Sequence, residues 1–555
     1  MQRQITRAAM VSLSSVLMFA SGCRHDTAEL ISDGAAVEGA PTVINLEQGW
    51  SREVQDQAWF VSFGSRLMPY SWFLSLELPA RTQHLRADTH LAQLGFLTQA
   101  PTPHNPDGLP VGFSRDQDDD GQVWVGLTCA ACHTGEVHFG DTKMRIDGGQ
   151  SLLDFDRFER SVVDAMSATL ADTQKFDRFA RRVLKDRATD ITAIGDLRDA
   201  LVQRTEELAA RRRMNATDID YGHGRLDAFG QIFNAAAVEF IHEPGNRRAP
   251  DAPVSYPVLW SAPHLDVVQW NGSAPNANPG PLVQNVTTAL AVYGQITVRP
   301  SDHRYESSID IDNLARIQNW LYELKSPQWP EEVLGALSED RIARGQVLYG
   351  AHCQECHQLA ERDDPKRQLE TTLVTVADIG TDPRAAENFV NARSSSGFLN
   401  GEKVAVLAGE RMGETTATIN LVVHAAMGAI LKHPIDATEA AISDYHSVFK
   451  ANIDDHPDHY KARPLDGIWS SAPYLHNGSV PTIYDLLLPP EERPARFYVG
   501  SRQLDTERVG LENDPHEDGF MFNTNLVGNG NGGHTYGTAL SKEQRLDLLE
   551  FLKTL

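Results

Sequence analysis

The spacing of hydrophobic positions predicts helices in several parts of the chain. Apolar residues recur every three to four positions over residues 151–186 and 193–213, as on the buried face of an amphipathic helix. Near the C-terminus, Ser541-x-x-Gln544 has the form of a helix capping box, and leucines follow it at helical spacing. The pattern therefore predicts a helix that closes the chain.

Another helix is predicted just before residue 353. Ser338 is a suitable N-cap, and the acidic Glu339 and Asp340 that follow suit the positive end of a helix dipole. By contrast, residues 242–257 and 272–281 are rich in proline and glycine, which is typical of loops. Because long loops separate the helical stretches, we expect a mainly α fold with long loops and little regular sheet.

The distribution of aromatic and polar residues divides the chain into four parts. Aromatic residues become dense from Trp50 onward, which indicates entry into a packed domain, and the stretch before it is polar and weakly patterned. We predict a signal peptide (1–22), a tether (23–46), an N-terminal domain (47–330) and a C-terminal domain (331–555). With 555 residues, the chain is long enough for more than one hydrophobic core.

The N-terminus has the features of a bacterial export signal. Arg3 and Arg7 precede an apolar stretch, residues 8–20, that is too short to span a bilayer. Ala20-Ser-Gly-Cys23 then resembles a lipobox, although leucine is usual where Ala20 stands. We favour lipidation of Cys23 and a lipid-anchored periplasmic protein; the alternative is cleavage after Gly22 and a soluble one. By resemblance to the lipoprotein sorting rule, Arg24 favours the outer membrane.

Charge and hydropathy limit the partners. The net charge is −25, and the hydrophobic and charged fractions, 41% and 23%, are those of an ordinary soluble protein. An acidic surface does not favour nucleic acid or anionic membrane, whose phosphates attract lysine and arginine. No later apolar run approaches the roughly 20 residues of a membrane helix. We therefore expect no nucleic-acid partner, and membrane contact only through the lipid.

Four of the five cysteines lie in two Cys-x-x-Cys-His motifs. These are Cys129-Ala-Ala-Cys132-His133 and Cys353-Gln-Glu-Cys356-His357, and the fifth cysteine is Cys23. In this signature two thiols bind the vinyl groups of a haem and the histidine binds its iron. A single copy also fits a thioredoxin-like pair or half of a zinc site. Two copies in an exported chain favour two covalently bound c-type haems.

Several segments around the two motifs carry a family resemblance. They are Asn105-Pro-Asp-Gly-Leu-Pro-Val-Gly-Phe113, Arg145-Ile-Asp-Gly-Gly149, Gly224-Arg-Leu-Asp-Ala-Phe-Gly230, Val254-Ser-Tyr-Pro-Val-Leu-Trp260, Val268-Gln-Trp-Asn-Gly272, Ile379-Gly-Thr-Asp-Pro383, Lys461-Ala-Arg-Pro-Leu-Asp-Gly-Ile-Trp469 and Ala472-Pro-Tyr-Leu-His-Asn-Gly-Ser-Val-Pro481. With these segments the chain resembles the rubber-oxygenase-like branch of the dihaem cytochrome c peroxidase superfamily, and the resemblance extends from residue 50 to residue 555.

The resemblance implies different roles for the two haems. The N-terminal haem, with His133, is the catalytic one and keeps an open or exchangeable coordination position. The C-terminal haem, with His357, is six-coordinate and transfers electrons. A helix before the second motif and a helix at the chain end are what a cytochrome c domain packs together. We therefore expect two cytochrome c-like domains with one covalently bound haem each.

The second ligand of the C-terminal haem has four candidates: His476, His534, Met412 and Met427. In related peroxidases the far ligand comes later in the chain than the histidine that corresponds to His476. We therefore favour His534, which lies in a glycine-rich loop, and expect His476 near the haem without binding its iron. The alternative is that His534 is a surface histidine in a flexible turn.

Two tryptophans are candidate catalytic residues. Trp260 and Trp270 could relay electrons between the haems or line an apolar pocket, whereas plain core packing is the ordinary role of a buried tryptophan. Residues 282–293 are apolar at helical spacing and could line the distal side of the first haem or belong to the core.

One acidic segment resembles the start of a calcium-binding loop. Asp116-x-Asp118-x-Asp120-Gly121 has the opening spacing of an EF-hand loop, but Leu127 stands where a bidentate glutamate belongs. A solvated acidic turn is the favoured interpretation, with calcium the alternative.

The two haem motifs and the family resemblance together leave three functions possible, and the two enzymatic ones are those that the resemblance implies. We favour a haem-dependent dioxygenase that acts on an apolar unsaturated substrate, small or polymeric, with a small redox protein as electron partner. The first alternative is a peroxidase that reduces hydrogen peroxide. The second is a non-enzymatic dihaem electron carrier.

Overall fold

The computed structural model describes residues 42–443 and 458–555. The predicted signal peptide, Cys23 and most of the predicted tether lie outside the described residues. Those described contain the following helices: α1 (Arg52–Phe60), α2 (Tyr70–Ser75), α3 (Asp88–Gln93), α4 (Ala130–His133), α5 (Phe155–Ala171), α6 (Thr173–Leu184), α7 (Ile191–Met214), α8 (Ala228–Asn234), α9 (Gly280–Ala291), α10 (Ile311–Glu323), α11 (Glu331–Leu334), α12 (Glu339–His352), α13 (Val376–Ile379), α14 (Arg384–Asn391), α15 (Thr418–Lys432), α16 (Pro434–Ser443), α17 (Ile483–Leu486) and α18 (Lys542–Leu552).

Short strands lie between these helices. In the same described part of the chain they are β1 (Thr42–Asn45), β2 (Met68–Pro69), β3 (Phe113–Gln117), β4 (Val123–Leu127), β5 (Thr134–Phe139), β6 (Thr142–Asp147), β7 (Arg225–Leu226), β8 (Val254–Ser255), β9 (Val267–Val268), β10 (Ala274–Pro275), β11 (Thr372–Thr375), β12 (Arg393–Ser395), β13 (Lys403–Ala405), β14 (Ala408–Arg411), β15 (Thr415–Ala417), β16 (His459–Ala462), β17 (Arg496–Val499), β18 (Leu504–Asp505), β19 (Gly510–Leu511) and β20 (Phe520–Asn523).

The expectation of a mainly α fold is wrong. The structure is 41% helical and 16% strand, and the strands pair in small sheets of two or three. Most strands are too short to show a hydrophobic alternation of period two. Several also pair with distant segments: β1 runs parallel to β6, and β11 runs antiparallel to β16. Such pairing leaves little trace in the local sequence pattern.

Several predicted helices are confirmed. The prediction over residues 193–213 corresponds to α7, whereas the stretch 151–186 forms two helices, α5 and α6. Asp172 separates these two helices, and its carboxylate caps α6 by accepting from two backbone N–H groups. The predicted N-cap at Ser338 and the predicted capping box at Ser541 are both present.

Packing crosses both predicted boundaries of the N-terminal domain. β1 lies within the predicted tether and is hydrogen-bonded to β6, so packed structure begins before residue 47. One hydrophobic cluster joins Met144 and Trp260 to Trp469 and Leu548, from opposite sides of the predicted boundary near Pro330. The domain boundary at residue 330 therefore stays a prediction, and this hydrophobic cluster contains residues from both sides of it.

Helices α12 and α18 form a tight pair next to the second Cys-x-x-Cys-His motif. Arg344 on α12 donates two hydrogen bonds to the Asp547 carboxylate on α18, at 2.7 and 2.8 Å. Gly345 lies at the crossing, where an added Cβ would be 2.1 Å from the Asp547 carbonyl oxygen. The close approach of the two backbones therefore depends on glycine at position 345.

Gly345→Ala should destabilise the protein by about 1–3 kcal/mol, because the methyl group forces the two helices apart. Gly350→Ala is the matched control on the same helix, since the nearest atom to its added Cβ is a flexible side-chain oxygen of Gln354 at 3.6 Å. Alanine has the better helix propensity, so the control should be neutral or slightly stabilising. Urea unfolding of both variants measures the difference; equal stabilities would contradict the packing argument.

Among the described residues, no helix is both long and apolar enough to cross a membrane.

Candidate haem sites

The first motif lies between two strands. β4 ends at Leu127, the short helix α4 carries the end of the motif, and β5 begins at Thr134. Gly112, which has φ +94°, lets the neighbouring chain pack directly against Ala131; an added Cβ would lie 2.4 Å from the Ala131 nitrogen. The Thr128 N–H donates to the Gly112 carbonyl at 2.8 Å. These backbone contacts fix the direction in which His133 leaves α4.

His133 is oriented by one backbone hydrogen bond. Its Nδ1 lies 2.8 Å from the carbonyl oxygen of Pro257, so Nδ1 carries the proton and Nε2 keeps its lone pair. Burial lowers the pKa of His133 to about 4, which keeps the ring neutral at physiological pH. The ring contacts Tyr256 edge to face, with 6.4 Å between centroids. This tautomer is the one in which a histidine binds iron through Nε2.

The two thiols of the first motif are free and lie in different apolar surroundings. Cys129 packs against the hydrophobic cluster that contains α9 and α15, and Cys132 packs against another that contains α5 and Tyr256. Burial raises the pKa of Cys129 to about 11 and that of Cys132 to about 12. A small cavity of about 20 Å³ next to the motif is lined by Trp59 and Trp320, among others.

The second motif follows the end of α12. His357 has the same arrangement as His133: its Nδ1 lies 2.7 Å from the Arg463 carbonyl oxygen, which leaves Nε2 available. The Tyr349 hydroxyl donates to the His357 carbonyl at 2.6 Å and ties the motif to α12. Cys353 and Cys356 are free thiols. Burial lowers the pKa of His357, so this imidazole is also neutral.

A cavity of about 360 Å³ adjoins this motif, within the range of ligand pockets. Its lining is largely apolar and includes Cys353, Cys356 and His357 together with His476 and His534. The structure therefore brings together the second motif and both histidines that the sequence analysis associated with it.

His534 faces His357 across this cavity. The centroids of the two imidazoles are 6.2 Å apart, with 48° between the ring planes. The backbone N–H of His534 donates to the Ile379 carbonyl at 2.8 Å. The Arg493 guanidinium donates to the backbone carbonyls of Asn531, Gly533 and His534. The glycine-rich loop is thus held at several points, whereas the role of His534 as an iron ligand stays a prediction.

The separation of these two rings fits two axial ligands of one iron. A metal–nitrogen bond is about 2.0 Å and the bonded nitrogen lies roughly 1.1 Å from its ring centroid, so two such imidazoles have centroids about 6 Å apart. His534 Nδ1 is enclosed and has no hydrogen-bond partner, a costly state for a buried polar atom. Burial lowers the pKa of His534 to about 4. The donor set, two thiols and two neutral imidazoles beside an apolar cavity, fits a c-type haem.

The other candidate residues lie in different positions. His476 lines the cavity and stacks on Tyr460, with 4.0 Å between the ring centroids. Met412 and Met427 belong to the cluster around α15, away from this lining. Residues 282–293 lie mostly in α9, in that same cluster.

The two candidate tryptophans also differ. Trp260 is completely buried and its indole N–H donates to the Asp466 carbonyl at 3.0 Å, as in ordinary core packing. Trp270 lines the cavity, and its indole N–H donates to the Ser255 carbonyl at 2.9 Å. Of the two, Trp270 is the one positioned next to the second motif.

The acidic turn after β3 has protein partners. Asp116 forms an ion pair with Arg66 at 2.7 Å, and the Asp118 carboxylate accepts from the Trp124 indole at 2.8 Å. Within residues 42–443 and 458–555, no group of three or more histidine, cysteine, aspartate or glutamate side chains could hold a metal ion.

Four residues at the two candidate haem sites have no role predicted from the sequence. Tyr256 borders both motifs, Lys461 and Arg463 line the cavity, and Arg493 holds the His534 loop. The only local signal is the spacing of Lys461 and Arg463, which places two cations on one side of an extended segment. Only the tertiary structure shows that this side of the segment faces a cavity.

The comparisons agree with a cytochrome in the C-terminal part. The family described as RoxA-like, cytochrome c-like matches residues 459–498, which contain Lys461, Arg463 and His476. The match indicates a c-type haem and a haem-related redox function. It covers one C-terminal segment only, so the expected pair of cytochrome c-like domains is not found. The surroundings of the two motifs also differ in structure. The second motif directly follows α12, which packs against α18, whereas the first motif lies between β4 and β5.

Two rhizobial proteins are similar to the chain over longer stretches. The uncharacterized protein y4iJ of Sinorhizobium fredii (strain NBRC 101917 / NGR234) is 30% identical over 581 aligned positions, 92% of this chain and 93% of that protein. The uncharacterized protein y4iM of the same strain is 28% identical over 273 positions, 48% of this chain and 51% of that protein. The chain belongs to the same family as y4iJ.

Proposed function

We propose that the protein is an exported dihaem oxidoreductase of the bacterial cell envelope. In this proposal the first haem, at Cys129, Cys132 and His133, activates dioxygen for attack on an apolar unsaturated substrate. The second haem, at Cys353, Cys356 and His357, exchanges electrons with a small redox protein. The export signal and the lipobox-like Cys23 support a periplasmic, lipid-anchored location.

The observation that carries the proposal is the difference between the two motif histidines. His357 faces a second imidazole, that of His534, at a spacing suited to two axial ligands. Among the described residues, the ring neighbour of His133 is Tyr256 rather than a second imidazole, and the Tyr256 hydroxyl donates to the Leu153 carbonyl at 3.2 Å. Two strong ligands suit electron transfer with little rearrangement, whereas activation of a small molecule needs an exchangeable position.

The haem would supply the redox chemistry, and the chain would supply ligands, orientation and an apolar enclosure. Pro257 and Arg463 fix the tautomers of the two motif histidines. Tyr256 and Pro257 contact the first motif and also line the cavity beside the second. These two residues would therefore form the wall between the two cofactors, a short route for electrons.

The purified protein should bind carbon monoxide when reduced, and cyanide when oxidised, at one of its two haems. Visible and electron paramagnetic resonance spectra should show one low-spin haem that does not bind these ligands and one haem that does. If both haems are low-spin and neither binds, the protein is an electron carrier and the proposal fails.

The substrate class has its own test. Oxygen uptake with oleate or polyisoprene should exceed the rate without substrate, and peroxide turnover with a reduced donor should be slow. Turnover with hydrogen peroxide alone would contradict the dioxygenase assignment and support a peroxidase.

A further inference from the structure

Two cations lie on one wall of the cavity beside the second motif. Lys461, in β16, and Arg463, just after it, both line this cavity. They are two positions apart in an extended segment, so their side chains leave on the same side. The backbone N–H of Lys461 donates to the Trp270 carbonyl at 2.8 Å. The backbone carbonyl of Arg463 accepts from Nδ1 of His357. The Arg463 carbonyl therefore joins this segment to His357, and both cationic residues line the same cavity as that histidine.

These cations have too few partners in the protein. The Lys461 ammonium makes one long hydrogen bond, of 3.3 Å, to the Val267 carbonyl. Arg463 Nη1 is enclosed and has no hydrogen-bond partner. Over residues 42–443 and 458–555, neither cation has a carboxylate within ion-pair distance. Both residues are only partly exposed, and one guanidinium nitrogen of Arg463 is enclosed without a partner, so an anion that entered the cavity would supply the hydrogen bonds and the charge that these side chains lack.

The nearest acids do not fill that role. Asp466 and Asp266 act on the two cations only at longer range. Asp466 accepts from the Ser261 hydroxyl with both oxygens, and one oxygen of Asp266 accepts from Thr371. Burial, followed by the neighbouring charge of Arg463, lowers the pKa of Lys461 to about 7. A positive charge is thus poorly accommodated here until a counter-charge enters the cavity.

We propose that Lys461 and Arg463 form a carboxylate-binding site at the wall of the second cavity, and that the carboxylates it holds are the propionate side chains of the haem bound there. This inference rests on the proposed function, because it requires a haem at Cys353, Cys356 and His357. The cavity is otherwise largely apolar, so the two cations give it one polar end. That polarity matches a porphyrin, whose ring is apolar and whose two carboxylates lie on one edge. A free fatty-acid carboxylate has the same chemistry and is the other possible source.

The test uses the holoprotein and its Lys461→Gln and Arg463→Gln variants, with haem content measured first. If the wild-type protein carries no haem at the second motif, the proposed function fails before this inference is tested. If the haem is present, each glutamine variant should lower the midpoint potential of the low-spin haem, because a positive charge near the iron favours the reduced state. The expected change is about tenfold in the reduction equilibrium, or about 59 mV for one electron.

Charge-keeping and distant variants serve as controls. Lys461→Arg and Arg463→Lys should keep the wild-type potential, and should restore haem content if a glutamine variant loses it. Lys366→Gln and Arg496→Gln remove exposed cations of the same half of the chain and should leave the potential unchanged. Unchanged potentials in both Lys461→Gln and Arg463→Gln, with both haems present and no effect of oleate, would overturn the inference; so would equal losses in the charge-keeping variants.

Oleate distinguishes the two sources of carboxylate. If the haem propionates occupy the site, the potential shift appears without oleate, and oleate does not alter the spectrum of the low-spin haem. If a free carboxylate occupies it, oleate changes that spectrum in the wild-type protein, and the change is lost in both glutamine variants while their potentials stay at the wild-type value.

Discussion

A chain with Cys129 and Cys132 both changed to alanine should carry one haem instead of two. Without thiols at the first motif no thioether bonds can form there, and His133 alone holds the cofactor only by coordination. The same change at Cys353 and Cys356 should remove the other haem. Pyridine haemochrome spectra and the mass of the intact protein under denaturing conditions measure the number attached.

The two double variants should also differ in reactivity. The variant that lacks the first haem should keep the low-spin spectrum and lose carbon monoxide binding, whereas the variant that lacks the second should keep carbon monoxide binding. Cys23→Ser is the control, since it removes the predicted lipid and leaves both haem motifs intact. Two covalent haems in either double variant would show that the motifs are not the attachment sites.

His534→Ala should convert the second haem from low-spin to a form that binds carbon monoxide or cyanide. The imidazole that faces His357 is removed, and a small neutral ligand can then take its place. His534 has φ +43°, a conformation that glycine adopts more readily than alanine. His534→Gly should therefore give the same spectral change with less strain on the loop.

Two further variants separate ligation from loop structure. His303→Ala removes an exposed histidine whose partner is Glu306 and should leave both spectra unchanged. Arg493→Gln loosens the loop that carries His534 and should make the low-spin signal heterogeneous without abolishing it. A low-spin second haem that persists in both His534 variants would rule out this residue as the ligand.

Much of the local structure followed from short sequence patterns. The caps at Ser338 and Ser541 and the helix α7 were correctly predicted, because capping and amphipathic spacing depend on residues a few positions apart. The small sheets were not predicted. β1 and β6 are about 100 positions apart in the chain, and β1 has only four residues, so their pairing left no local signal.

The candidate site divides in the same way. Trp260 and Trp270 were equivalent candidates in the sequence, and only their packing separates the core residue from the one beside the cavity. Tyr256 lies in the segment Val254–Trp260, but the sequence assigns it no role, because its contacts with Cys132 and His133 form only on folding. Burial of polar groups cannot be deduced from their neighbours in the chain.

By itself, the sequence determined where haems can be attached. Each Cys-x-x-Cys-His motif is a contiguous attachment signature that is recognised without any distant partner, and the predicted export signal would place it in a suitable compartment. The tertiary structure alone decided how the two motifs differ. It placed the ring centroids of His534 and His357 6.2 Å apart, gave His133 a tyrosine neighbour, and put Lys461 and Arg463 in the lining of one cavity. The physical reason is that ligand pairs and buried charges are made by contacts between distant segments, which no local spacing encodes.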